Sequence, residues 1–520
     1  MSNTDELCRS FLDLWWHFDP GAATLAGAAG QDGRLGAFDP ESVREHVAAL
    51  RSIAGAVEDL EIDGVGEEID RTALLDHLRV LLFRLEHEHP YRKNPALWIG
   101  HACMALDGLL ARPDSRESAA GALERLRALP RFLTSARDTL RDPPQLLVDT
   151  ALGELAGLSA LIDETATRFA PLWVALGEED GAAAVANAEA EVRRTGQALR
   201  SEITPDPEPG AEAIGEDEVD RRLHHEHASV HNGAEVWRAA NRLVTEIEAE
   251  AAALAAAIDP GRHWRDVYEA AREAHPAGGD LPSQWSQGIL QARHAAPDAG
   301  LPEADLPPLE LVDAPDYVRV TEPVADYVPA GAAGSSARLV LVGGEEILAP
   351  WLGARYGVPG LHLHRARAAR LASLVRSSIT ATSTTDGWGL YVQELLREDG
   401  LGGSPASLLA ERVLALRDAH LAVVDLGIHT KQFTAGEAIG YLAARLPFDR
   451  RMAEADVRRL ACRPTSAAAA FLGRRELLRL RDDMRTERGS SFVAARFHDE
   501  VLAYGGIPVP LIRWGMGLDD

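Results

Sequence analysis

Three short stretches of this chain hold residue types that could do chemistry. The densest in imidazoles holds His224, His225, Glu226, His227 and His231. On a helix His224, His227 and His231 share one face, and imidazoles placed that way can bind a transition metal. A polar surface helix beside an acidic loop explains the same residues and is the expectation. The second stretch is RYGVPGLHLHRARAAR, residues 355–370, where Pro359 and Gly360 interrupt a helical pattern, as at a kink or a site. His362 and His364, two apart, would diverge by about 200° on a regular helix, so only an irregular backbone could converge them. The third is TTDGWGLYVQE, residues 384–394. Gly387 and Gly389 flank Trp388 beside Asp386 and Tyr391, and glycine lets a backbone come close to something. The hydroxyl run from Ser377 to Thr385 lacks an evident base to activate a nucleophile, so it reads as a loop or cap. No HExxH, phosphate-binding loop or GxSxG elbow is present.

The elements that must position these residues are mostly helices. Apolar residues recur at three- and four-residue spacing over 66–90, 120–141, 147–176 and 234–258. Residues 204–220, rich in proline and acid, predict a surface loop, and 296–314 an irregular segment. Strands are predicted at 316–320 and 337–343, where β-branched and apolar residues alternate or run together. Helices resume near 345. The expected fold is mainly α: a helical half over 1–300, an irregular segment with a small β-insert over 301–345, and a helical half over 346–520. The halves form one interlocked body with a cleft between them.

Composition narrows the function classes. The chain has 520 residues and a net charge of −27, from 53 basic and 80 acidic side chains. Such a surface repels phosphate backbones and anionic lipid, so neither nucleic acid nor membrane is an expected partner. Cys8, Cys103 and Cys462 are scattered, with no metal-binding spacing and no disulfide framework. The opening MSNTDELCRS lacks the features of a leader, and no uncharged apolar run reaches the length of a membrane span. The expected compartment is the cytoplasm; the oligomeric state is left open.

Several segments, in order, carry a family resemblance. They are PGAATLAG (20–27), VVDLGIH (423–429), AGEAI (435–439) and FHDEVLAYGGIPVPLI (497–512). The chain resembles the bacterial domain-of-unknown-function family numbered 885, a group of helical proteins related to zinc peptidases. The family's metal motif reads approximately HEAYPGHHLQ, and its counterpart here is RYGVPGLHLH (355–364). Arg355 stands at the first ligand position, Tyr356 replaces the general base and Leu361 the second ligand. Asp386 stands where the family's EGWALYAE segment offers a third ligand, with Trp388 and Tyr391 kept. In the PGQALAYKIG counterpart, PTSAAAAFLG (464–473), Ser466, Ala470 and Phe471 replace Gln, Tyr and Lys.

Zinc catalysis needs about three protein ligands and an open position, and neither Arg nor Leu coordinates zinc. The resemblance therefore implies a zinc-peptidase frame without the metal, and no cofactor is expected. The predicted catalytic residues are Tyr356, His362, His364 and Asp386. The predicted substrate-binding residues are Arg355, Trp388, Tyr391, His429, Arg463 and Ser466. Arg355 and Asp386, at two former ligand positions, are expected to form an ion pair. His498 and Asp499 are expected to be structural. The abundance of Ala and Arg over Lys resembles high-GC actinobacterial proteins, in which altered family members would serve specialised metabolism. The expected function is a metal-independent enzyme acting on a small peptide-like or carboxylate-bearing molecule. The alternatives are an inactive pseudo-peptidase that binds a peptide or protein, and a metal-dependent hydrolase with shifted ligands.

Overall fold

A computed structural model describes residues 2–28, 30–276, 278–302, 305–331 and 336–518. Helices dominate, and the described strands form one small sheet. The predicted helical segments appear as Val65–Phe83, Arg116–Thr139, Gln145–Leu176 and Gly233–Ile258. The first passes directly into a π-helical turn, Arg84–Glu88.

The centre of the body is the helix Pro405–His429. Nearly every side chain from Leu409 to His429 is buried, including the charged ones other than Asp418. A helix buried on all sides must be surrounded by others. Here Gly233–Ile258 and Ser466–Arg488 pack against it. Gln145–Leu176 is long and apolar enough to cross a membrane by length and composition, but Pro95–Leu110 and Gly181–Ser201 pack on it.

A close helix crossing joins Thr382–Glu398 to Ser466–Arg488. Gly473 lies directly on the Ser383 carbonyl, and a Cβ added at Gly387 would come within 2.9 Å of the Gly473 backbone. Glycine at both places lets the backbones touch.

The β-insert differs from its sequence reading. The strand expected at 337–343 is β3, Ala337–Leu341, but Val318–Val320 is a 3-10 turn. The Pro315 and Tyr317 carbonyls close that turn, and the alternation of side chains there has no strand partner. The other two strands, β1 (Leu309–Asp313) and β2 (Ala325–Val328), lie within the segment 301–345 expected to hold the β-insert but outside the two stretches read as strands. Sheet order is β1-β3-β2, with β1 parallel and β2 antiparallel to β3.

Candidate functional site

The expected helix break is present. Ala349–Tyr356 ends, Gly357 to Gly360 turn, and Leu361–Ala368 begins. Gly360 packs on the Ala354 and Arg355 carbonyls, where a Cβ would clash. The break puts Arg355, Tyr356, Leu361 and Arg365 on the wall of a cavity of about 270 Å³. Asp386 and Gly389 come from helix Thr382–Glu398, and Arg417 and Asp418 from Pro405–His429. Arg459 comes from helix Arg450–Cys462, followed by Arg463 and Ser466. Glu322, Asp326 and Tyr327 belong to the β-insert.

The β2 strand meets the cavity with its edge. Ala325, Asp326 and Tyr327 all line it, although successive side chains of a strand point to opposite faces. The Leu341 carbonyl bonds toward β1, at Ala314, so Val340 turns its backbone groups toward Asp326 on β2. The Ala325 and Tyr327 carbonyls therefore point away from the sheet.

Five guanidiniums and four carboxylates line this cavity. Arg355 holds Asp418, with Nη1 at 3.0 Å from Oδ1 and a second, shorter bond from Nη2. Its Nε and Nη2 also donate to Gln393 Oε1 at 3.0 and 2.7 Å. Burial works against this charge, but Asp418 beside it more than offsets that and raises the guanidinium's pKa. Arg417 donates to Asp456 at 2.5 Å, Arg459 lies 3.4 Å from the same carboxylate, and Arg463 pairs with Glu322 at 2.8 Å. Burial pushes Glu322 up to about 7 despite Arg463.

Two cavity charges stay unmatched. Among the described residues, neither Arg365 nor Asp386 makes a hydrogen bond or ion pair, although each lines the cavity. Asp386 is open to the cavity yet closely surrounded by protein. Burial raises its carboxyl above the usual range, with Arg459 and then Arg463 opposing. Burial also raises the Tyr356 phenol, against the pull of Arg355, Arg459 and Arg417. Two more polar groups nearby, Arg459 Nε and Ser466 Oγ, are buried without a partner.

The structure thus gathers five predicted residues in one place: Arg355, Tyr356, Asp386, Arg463 and Ser466. The predicted Arg355–Asp386 ion pair is not formed, because Arg355 is taken by Asp418 and Gln393.

The other five predicted residues are off the cavity wall, and each has a partner elsewhere. His362 Nε2 donates to the Pro307 carbonyl at 3.1 Å, which leaves Nδ1 to accept from the Tyr327 hydroxyl at 3.0 Å. It positions Tyr327 rather than facing a ligand. His364 donates to the Gly505 carbonyl at 3.1 Å, and burial lowers it to about 3. Trp388 and Tyr391 are fully buried. Trp388 Nε1 donates to the Pro359 carbonyl at 3.1 Å and Tyr391 to His498 Nε2 at 2.7 Å. His429 donates to the Leu460 carbonyl at 3.0 Å, and burial lowers it to about 4. Proximity in sequence to Pro359 and Asp386 misplaced these groups, since neighbours on a helix face opposite ways.

The residues present do not fit a zinc ion. Among the described residues, no three His, Cys, Asp or Glu side chains converge as ligands. Both ring nitrogens of His362 are engaged, and Arg355 brings a permanent positive charge. Nor do the histidines after 223 cluster: His227 is buried, His225 lies 3.2 Å from Asp76, and His231 is past the helix end.

Behind the cavity, Asp425 caps the helix that carries Ser466. Its carboxylate accepts from the backbone N–H groups of Thr465, Ala467 and Ala468 at 2.9 to 3.1 Å. Burial lifts this carboxyl to about 7 while the three donors pull it down. Thr465 takes a left-handed conformation, φ 67°, at the turn.

Comparison with known proteins matches this frame along nearly its full length. The model of a family described as bacterial protein of unknown function (DUF885) matches residues 20–516. The chain belongs to that family. Two solved structures share the DUF885 chain's fold. One, from Colwellia psychrerythraea and described as a lipoprotein, has a TM-score of 0.85 at 16% identity over 99% of both chains. The other, from Shewanella oneidensis and described as a lipoprotein of unknown function, has a TM-score of 0.76 at 17% identity. That match covers 99% of this chain and 100% of the other. At such identity the likeness speaks for fold alone. No curated protein matches the sequence.

Sequence reasoning missed Glu322, Asp326, Tyr327, Arg365, Arg417, Asp418 and Arg459 in this DUF885 protein. One signal was available. Arg417 and Asp418, like Glu411, Arg412 and Asp425, are charges in a helix enclosed on nearly every side, and charges in such a helix need partners or a cavity.

Proposed function

We propose that this protein is a metal-independent enzyme acting on a small peptide-like or carboxylate-bearing molecule in the Tyr356–Asp386 cavity. The observation that carries this reading is the guanidinium-rich wall around an open phenol and an unpaired carboxylate. Guanidiniums in a confined site recognise carboxylate oxygens. The outward edge of β2 offers backbone groups to an amide-bearing ligand. Tyr356 supplies a proton or a hydrogen bond to an oxygen that gains negative charge, and Asp386 accepts a proton, a role its raised pKa suits. On this reading the zinc-peptidase frame has been rebuilt around Arg355 and Tyr356.

The test is turnover of mixed dipeptides, N-acyl amino acids and amino-acid amides, followed by mass spectrometry after chelator treatment. Turnover that survives chelation and is lost in Tyr356→Phe and Asp386→Asn supports the reading. Turnover that requires added zinc overturns it. Saturable binding without turnover of any class makes the protein a pseudo-peptidase.

A further inference from the structure

The charged groups of the cavity separate into those with a polar partner in the protein and those with none. Arg355 is matched by Asp418, Arg417 by Asp456 and Arg463 by Glu322. Arg459 shares Asp456 with Arg417, and Asp326 accepts from the Tyr327 backbone N–H. Among the described residues, the guanidinium of Arg365 and the carboxylate of Asp386 are the cavity charges left without a hydrogen bond or ion pair. They come from different helices, Leu361–Ala368 and Thr382–Glu398. They attract one another, yet they do not come within ion-pair distance.

Opposite charges that share a confined cavity would normally close on each other. Two that are held apart leave a gap with a positive and a negative end. An ion in a partly desolvated site is costly without a counter-ion. A ligand with only a carboxylate would satisfy Arg365 and leave Asp386 unmatched. A ligand with only an ammonium would do the reverse.

We propose that the cavity takes a zwitterion, a free amino acid or dipeptide whose carboxylate meets Arg365 and whose ammonium meets Asp386. This rests on the reading of the cavity as the substrate site. A volume of about 270 Å³ suits one or two residues rather than a long peptide. The same placement sets Asp386 beside the amine whose proton it would take. Neither charge needs a side chain of the ligand, so the identity of that side chain is read elsewhere on the wall, where Leu361, Leu390 and Leu421 are apolar.

Three ligand pools separate the possibilities: mixed amino acids and dipeptides, the same pool N-acetylated, and the same pool as C-terminal amides. Binding to the full-length protein is read by native mass spectrometry with competition. The free pool should win over both derivatives by about tenfold or more, the scale of one charge-assisted contact. In Asp386→Asn the preference over the N-acetylated pool should vanish while the preference over the amides stays. In Arg365→Gln the pattern should reverse. Acetylated ligands that bind as well as free ones overturn the zwitterion and leave the carboxylate site standing. If no pool binds, the cavity itself is not the substrate site. The comparison is made on the ligand first, so it does not depend on either variant folding.

Discussion

Arg355 gives its guanidinium to Asp418 and Gln393, and Asp386 is left without an ion-pair partner. Gln393 follows Asp386 by seven residues, two turns further along the same helix. It is itself anchored at 2.7 Å to the buried Glu411. Arg355 thus ties three helices together at the cavity floor. Arg355→Ala should cost about 3 kcal/mol in urea denaturation, because Asp418 and Gln393 lose their partner in a partly buried place. A loss below about 0.5 kcal/mol would show that the pair contributes nothing to the fold.

Asp386 should behave in the opposite way. Its carboxylate is unmatched and burial disfavours its charge, so Asp386→Asn removes a cost without removing a bond. The melting temperature should hold or rise while kcat falls by roughly two orders of magnitude or more. Tyr356→Phe should likewise lower kcat with the fold intact. A parallel fall in stability and activity would assign Asp386 to the framework.

His364 supports the Gly505 carbonyl rather than the cavity. His364→Gln should lower stability by about 1 kcal/mol and leave ligand affinity unchanged. A loss of affinity with unchanged melting would return this imidazole to the site.

Metal should not matter to the fold. Chelation should leave the melting temperature where it was, and incubation with zinc should not load one ion per chain by elemental mass spectrometry. Stoichiometric loading would mean that side chains rearrange to make a ligand set.

Glu154 sets a pH dependence away from the cavity. Its Oε2 is buried without a partner, and burial pushes the carboxyl from 4.5 up to about 8. The folded state therefore keeps a proton that the unfolded chain releases. Stability from this group is complete below pH about 4.5 and is lost as pH rises toward 8. By pH 7 the loss is roughly 3 kcal/mol, and Glu154→Gln should flatten that slope in denaturation series.

The long helices were legible because packing one face leaves a period in the sequence. Helix Gln145–Leu176 and its neighbours show that period plainly. The break at Pro359 and Gly360 was legible for a similar reason, since those residues fit a helix poorly. The cavity was legible only in part. Arg355, Tyr356 and Asp386 stand in recognisable segments, whereas Glu322 and Tyr327 enter from an insert whose short strands leave too few residues for a pattern. Pairing choices were not legible. Whether Arg355 meets Asp386 or Asp418 depends on which carboxylate its helix end faces, and no spacing along the chain encodes that.

The crossing of Gly387 on Gly473 is independent of every charge in the cavity. It fixes the distance between the wall that carries Asp386 and the wall that carries Ser466 by backbone contact alone. Side chains between those walls that make no bond to the protein can be exchanged without loosening them. On the proposed function, the chemistry is therefore a replaceable lining in a rigid mould. Libraries that vary Tyr356, Arg365 and Asp386 while sparing Arg355 and the two glycines would sample new reactions at little risk to folding.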